Sequence, residues 1–436
     1  MATPLLSALR AFADTRPLRL HMPGHHGTMP LPEWSAAARL DFTELPPTGD
    51  LFGGEGPVME AQSLWAERFG MDQCLFLTGG STQGIHTALT LACSPGDTLL
   101  VDRGSHRSVY HAMALLDLRP VYLSRPWLDG VTGPIDPDLV ARQLEKHPEI
   151  RTVCITSPTY YGVLSDLKRI SAIVHARGGR LVVDGAHGAH LPWLLENPFE
   201  GVDLLVVSAH KTLPAPGQAA LLFAQGFAHR ELRRAGSIYG SSSPSYPMMA
   251  ALDWVRAWME EGGAERYRRT ARLTEGLRRR WPSLQPKGAA LDPARFVWRV
   301  GNGPEAQRAL EQEGIYPEMS DTGHVVMILT GQDGPAEVER LEEGMSKFST
   351  KSADIVETLP DPPEIPEARL TPREALFASR ETMALSAAAG RIAASQIAPY
   401  PPGIPVLAPG ELIQKKYLAY LNKIGYNIES ETEVIQ

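Results

Sequence analysis

An α/β fold with a largely parallel central sheet is predicted for this chain of 436 residues by three observations. Short apolar runs alternate with helix-periodic stretches between about residues 60 and 230. Gly, Pro and Ser clusters punctuate the runs, as strand-to-helix turns require. Residues able to do chemistry collect where the apolar runs stop. The expected strands are 74–77, 98–101, 121–123, 152–156, 181–184, 204–207 and 220–224, with helices such as 82–91 and 166–176 between them. Ligand sites of open α/β sheets lie at the carboxyl ends of the strands, so residues 80–82, 105–106, 184–187 and 208–211 are expected on one edge.

The remaining elements follow in order. Residues 1–48, dense in Pro, Gly and His, read as an N-terminal arm, and 49–235 as the large domain. Residues 236–355 hold a Ser/Pro/Tyr loop, an amphipathic Arg-rich helix over about 248–280, and a smaller α/β region from about 290. The proline-rich stretch 359–366 is a linker inside a C-terminal segment, 356–436, in which 372–389 is expected to be helical.

Composition bounds the function. Hydrophobic content of 43% and charged content of 21% are those of a globular protein, and the formal net charge of -8 argues against nucleic acid or an anionic membrane as partner. No run approaches the roughly 18 apolar residues of a membrane-spanning helix, and no secretory leader pattern opens the chain, so a cytoplasmic location is expected. Cys74, Cys93 and Cys154 are widely spaced in apolar surroundings, which supports neither a disulfide framework nor a metal site.

Lys211 is the most informative residue. The apolar run Asp203-Leu204-Leu205-Val206-Val207 breaks at Ser208-Ala209-His210-Lys211-Thr212-Leu213. A lysine at the mouth of a buried strand is costly unless its amine is neutralised or covalently engaged. The preceding strand ends in Asp184 and runs into Gly185-Ala186-His187-Gly188-Ala189-His190. A strand-end carboxylate followed by a strand-end lysine is the pair that pyridoxal 5′-phosphate (PLP) requires. The amine engages the aldehyde as a Schiff base, and the carboxylate keeps the pyridine nitrogen protonated. Taken alone, Lys211 also reads as a snorkelling surface lysine; Asp184 in register argues against that.

Thr78-Gly79-Gly80-Ser81-Thr82-Gln83-Gly84 leaves a strand and opens a helix. Gly80 permits close backbone approach, the helix start offers free N–H groups, and Ser81 and Thr82 add hydroxyls, as a phosphate cup needs. Ordinary helix capping explains the same residues. His106, in Asp102-Arg103-Gly104-Ser105-His106, is a candidate to stack on the pyridine ring, with a core or capping histidine as the alternative. His187 is placed to lie under the ring or orient Asp184. Ser208 and His210 flank the lysine, as phosphate ligand and proton donor respectively.

Together, His21-Met22-Pro23-Gly24-His25, Ser105-His106, Ser157-Pro158-Thr159-Tyr160-Tyr161-Gly162, Asp184 through His190, Ser208 through Leu213, and Tyr400-Pro401-Pro402-Gly403-Ile404-Pro405 with Pro409-Gly410-Glu411 resemble the Orn/Lys/Arg decarboxylases. The length is similar to that of the family's short members. The resemblance implies PLP fold type I and α-decarboxylation of arginine, lysine or ornithine to a polyamine-type amine. It makes Lys211 the Schiff-base lysine, Asp184 the pyridine partner and His106 the stacking ring. Ser81, Thr82, Ser208 and His210 surround the phosphate and imine. Ser242 and Ser243 reach a partner subunit's cofactor, in a homodimer with shared sites or a higher oligomer. Two departures, His26 and the proline-rich 213–218, bear on substrate choice. Glu411, Asp50 and Glu55 are candidates to read the substrate's distal charge. The rivals are a fold-type-I aldolase, hydroxymethyltransferase or aminotransferase, and a non-catalytic regulatory protein of the same fold.

Overall fold

A computed structural model describes residues 2–349, 363–399, 403 and 405–436. Seven strands are β1 (Gln73–Leu77), β2 (Thr98–Asp102), β3 (Arg119–Leu123), β4 (Thr152–Thr156), β5 (Arg180–Asp184), β6 (Leu204–Val207) and β7 (Ala220–Ala224). They form one sheet in the order β1-β7-β6-β5-β4-β2-β3. All seven expected strands are present. Apart from the edge strand β3, of which only Leu123 is buried, they are buried nearly end to end, as the unbroken apolar runs of β6 and β7 require of strands covered on both faces. β5 and β6 are parallel, as are β2 with β4 and β2 with β3, whereas β7 runs antiparallel to both β1 and β6. Two antiparallel steps return β1 to the direction of β6.

The chain divides into two compact units, with the boundary inside β5. The first comprises Met1–Ala92, Val182–Arg269 and Thr330–Gln332. Its N-terminal segment carries the helix Pro4–Asp14, which buries Leu5, Leu6, Leu9 and Ala13, while Leu18, Leu20 and Met22 are exposed. The Leu6 N–H donates to Asp253 at 3.0 Å. The helix expected over 248–280 is interrupted. It runs Tyr246–Trp258, passes through a π-helical turn at Met259–Gly263 and resumes as Ala264–Arg280. The pair Gly262-Gly263, poor helix formers, marks the break.

The second unit comprises Cys93–Leu181, Thr270–Leu329 and Asp333–Gln436. Its smaller sheet pairs β8 (Arg295–Arg299), β9 (Met319–Ser320) and β10 (His324–Ile328) in the order β8-β10-β9, over a core that includes Phe296, Trp298, Leu310 and Met345. The C-terminal segment has its own core, with Leu385, Ile413, Tyr417 and Leu421. Here the expected helix 372–389 needs correction. Only Pro372–Phe377 is α-helical, started by a capping box from Thr371 and Glu374, with one further 3-10 turn at Leu385–Ala387. Residues Arg380–Ala384 then form β11, antiparallel to β12 (Glu431–Ile435). A C-terminal strand on offer outweighed the helical preference of Met383 and Ala384. Residues 400–402 and 404 of the Tyr-Pro-Pro-Gly-Ile-Pro motif, and 359–362 of the linker, lie outside the described residues. Among the described residues no helix is long and apolar enough to cross a membrane.

Candidate active site

In the first unit β1, β5 and β6 point the same way, so residues following each leave the sheet at one edge. Asp184 pairs in register with Val206, and the chain after β6 begins two residues later at Ser208. Asp184 is 4% exposed, and its Oδ1 accepts the Ala186 N–H at 3.1 Å. Gly185 is small of necessity, since a Cβ there would stand 2.8 Å from Leu205 Cδ1. Ala209–Thr212 make a single helical turn that carries Lys211. The Lys211 Nζ lies 3.4 Å from His187 Nε2. His187 therefore faces the amine itself. His210 is exposed on the other side of the turn. Burial first, and then the charge of Lys211, hold its imidazole below the usual histidine range.

Ser208 is fully buried, and among the described residues its Oγ makes no hydrogen bond. An orphaned buried hydroxyl at a strand end is what a ligand's phosphate or phenolic oxygen would satisfy. The glycine cup has a matching form. Gly80 takes φ +74° at the start of the helix Gly80–Ala92, and the nearest atom to a Cβ there would be the Gln218 carbonyl oxygen, 3.8 Å away in the loop after Lys211. Gly84 lets this helix sit on the sheet, because a Cβ would meet Leu77 and Val206 at 2.6 and 2.7 Å. Ser81 and Thr82 lie in the first turn of that helix. The residues fit PLP: a lysine, a buried carboxylate, an unsatisfied hydroxyl and a helix start are all at the same edge of the unit.

Sequence reasoning missed two residues here. Gln83 folds back so that its Oε1 accepts the Gly79 N–H at 2.9 Å. Tyr267, fully buried, donates its hydroxyl to the Thr212 carbonyl at 2.6 Å and lies 5.9 Å from the His190 ring, holding the lysine turn from behind. Ser242 and Ser243 are exposed, in a loop closed by the Ser243 N–H donating to Ser241 Oγ at 3.1 Å.

In the second unit His106 caps the helix Arg107–Leu115. Its Nδ1 accepts the Ser108 N–H at 3.2 Å, as the capping alternative expects, and the residue is exposed. Asp102 is fully buried and gripped by Arg125, whose Nη2 stands 2.6 Å from Oδ2. Tyr161 and His324 both hydrogen-bond the buried Asp321. Glu411 is not an open carboxylate. It is 1% exposed, bound by Arg103 through both oxygens at 2.5 and 2.8 Å and by the Ala408 N–H at 2.7 Å. It is thus removed from the three candidate charge readers; Asp50 and Glu55 are both exposed.

Solved structures share this α/β fold and define the fold class of the chain. The lysine decarboxylase LdcF of Francisella novicida superposes with TM-score 0.86 at 20% identity, over 100% of this chain and 81% of that one. The constitutive lysine decarboxylase of Escherichia coli follows at 0.84 and 19%, over 100% and 82%. More distantly, an SPT solved with PLP matches at 0.55 over 67% of this chain and 76% of that one. Within that class the chain belongs to the Orn/Lys/Arg decarboxylase family, whose major-domain model matches residues 3–286 and whose C-terminal-domain model matches 357–429. Among curated relatives, an arginine decarboxylase of Bacillus subtilis is 29% identical over 97% of this chain and 93% of its own length. One of Bacillus anthracis is 30% identical over 97% and 92%. The protein is a PLP-dependent decarboxylase of basic amino acids, and the aldolase, transferase and non-catalytic readings are not favoured.

Proposed function

We propose that the substrate is arginine and that Lys211, Asp184 and His187 form the reacting centre of a homodimer. The register of Asp184 and Lys211 at the ends of adjacent parallel strands carries the reading of the centre. The choice of arginine rests on the near-full-length relatives named arginine decarboxylase, against 23% identity over 69% of an Escherichia coli lysine decarboxylase. When bound, PLP supplies the electron sink into which the bond to the departing carboxylate collapses.

The chain's residues do the rest. Lys211 Nζ would anchor the cofactor, and its amine would be a group able to hold a proton for Cα. His187 Nε2, next to Nζ, relays that proton. His210 is the weaker candidate donor, because its lowered pKa leaves it neutral at pH 7. Asp184 would hold the pyridine proton, His106 would stack on the ring, and Gly80, Ser81, Thr82 and Ser208 would hold the phosphate. Ser242 and Ser243 serve the neighbouring subunit's phosphate. Asp50 and Glu55 remain the candidates to meet the distal guanidinium.

A CO2-release assay across arginine, lysine and ornithine tests the substrate; higher kcat/KM for lysine or ornithine refutes the choice of arginine. Sharing is tested by mixing Lys211→Ala chains with Ser242→Ala/Ser243→Ala chains. Activity returns if each mixed dimer keeps one intact site, and mixtures that stay inactive while subunits exchange exclude shared sites.

A further inference from the structure

The loop that carries His106 is held by two buried ion pairs that the cofactor chemistry does not use. Asp102, the last residue of β2, accepts from Arg125 and from the Gly104 N–H, and Arg125 also reaches the Gly133 carbonyl at 2.7 Å. The next residue, Arg103, turns the other way. Besides its two bonds to Glu411, it donates to the carbonyls of Pro405 at 3.2 Å and Val406 at 3.0 Å, and its guanidinium lies 4.7 Å from the Tyr122 ring centroid. The Arg103 carbonyl in turn accepts the Tyr110 hydroxyl at 2.9 Å, from within the helix that His106 caps. The C-terminal segment 405–411 thus grips the residue three positions before His106.

Such a pair adds little net stability, because desolvation of both ions offsets most of their attraction and an apolar pair of equal volume is often as stable. It does impose direction. A guanidinium fork matched to two carboxylate oxygens fixes the plane and angle of approach, which an apolar contact leaves loose.

We propose that Glu411 is a positioning residue: acting through Arg103, it sets the orientation of the Ser105-His106 turn and hence of the ring His106 presents. The C-terminal domain is on this account part of the apparatus that aligns the cofactor. The inference rests on the reading of His106 as the stacking ring.

The test compares holoenzyme variants Glu411→Gln, Glu411→Asp, the apolar pair Arg103→Met/Glu411→Met, and His106→Ala. The readouts are kcat, KM, PLP affinity, visible circular dichroism of bound PLP, and hydrogen exchange of the 103–110 peptide. Glu411→Gln is expected to lower kcat by about 10- to 100-fold with little change in KM, since small misplacements of a positioned group have effects of this order. It should also shift the dichroism in the direction His106→Ala does and speed exchange at 103–110, with Glu411→Asp recovering part of each. The apolar pair should fold and keep the defect. A folded Glu411→Gln or double-Met holoenzyme with wild-type dichroism, PLP affinity and kcat, beside an impaired His106→Ala, overturns the positioning role alone. His106→Ala with unaltered dichroism and PLP affinity overturns the stacking reading and the inference with it.

Discussion

Replacing Tyr267 by Phe removes one oxygen from the protein and nothing else. The ring is fully buried and packed so closely that a Cβ on Gly331 would stand 2.6 Å from it, so phenylalanine keeps the shape and the packing. What goes is the donor 2.6 Å from the Thr212 carbonyl, at the last residue of the one-turn helix that carries Lys211. A buried acceptor deprived of its donor costs about 1–3 kcal/mol. For a unit of this size that lowers the melting midpoint by about 5 °C. The second effect is local: a single turn has few internal bonds to fall back on, so the lysine samples more positions and the cofactor is released faster. Differential scanning calorimetry of holo and apo protein, with stopped-flow PLP release, separates the two. A Tyr267→Phe protein that melts and releases PLP like the wild type would refute the claim that this hydroxyl holds the lysine turn.

Asp184→Asn should retain PLP yet lose most turnover at neutral pH, because an amide cannot stabilise the pyridine proton; near wild-type CO2 release would remove Asp184 from that role. Asp253 tests pH linkage away from the site. Burial raises its pKa from 3.8 to about 6 against the pull of the Leu6 N–H and Arg256, so the folded chain binds this proton more tightly than the unfolded chain. The stability this contributes is complete below pH 3.8 and is lost as pH rises through about 6, a difference of about 3 kcal/mol. Asp253→Asn, which mimics the protonated acid, should abolish that slope. Parallel denaturation curves for variant and wild type between pH 4 and 7 would show the shift to be absent.

The sheet was readable because β6 and β7 are covered on both faces and so appear as unbroken apolar runs; Lys211 and Asp184 were readable because each ends such a run. Local sequence fails where the deciding partner is remote. Residues 380–384 look helical until β12 offers them a main-chain ladder. Glu411, in a Pro-Gly context, looks like a free surface acid because Arg103 is 308 positions away. Tyr267 bonds a backbone carbonyl, which carries no side-chain signature, so no pattern in the sequence points to it.

The unsatisfied Ser208 hydroxyl separates a cofactor ligand from a structural residue by the sign of two effects. If Ser208 served the fold, its Oγ would have a partner in the protein; instead it is fully buried with none among the described residues. A hydroxyl in that state destabilises the empty protein by about 1–3 kcal/mol relative to a methyl group. The bond missing within the protein is available to PLP, where a hydrogen bond to a charged phosphate is worth about 1.5–3 kcal/mol. Ser208→Ala should therefore leave the apo-protein as stable as the wild type or more so, while weakening PLP binding roughly 10- to 100-fold, the equilibrium equivalent of that bond. A structural serine would move both quantities down together, and a bystander would move neither. Apo melting curves and PLP titrations of the same two proteins decide among the three. Unchanged PLP affinity in Ser208→Ala would mean that the hydroxyl is not a cofactor ligand, and that the phosphate rests on Gly80, Ser81 and Thr82 without it.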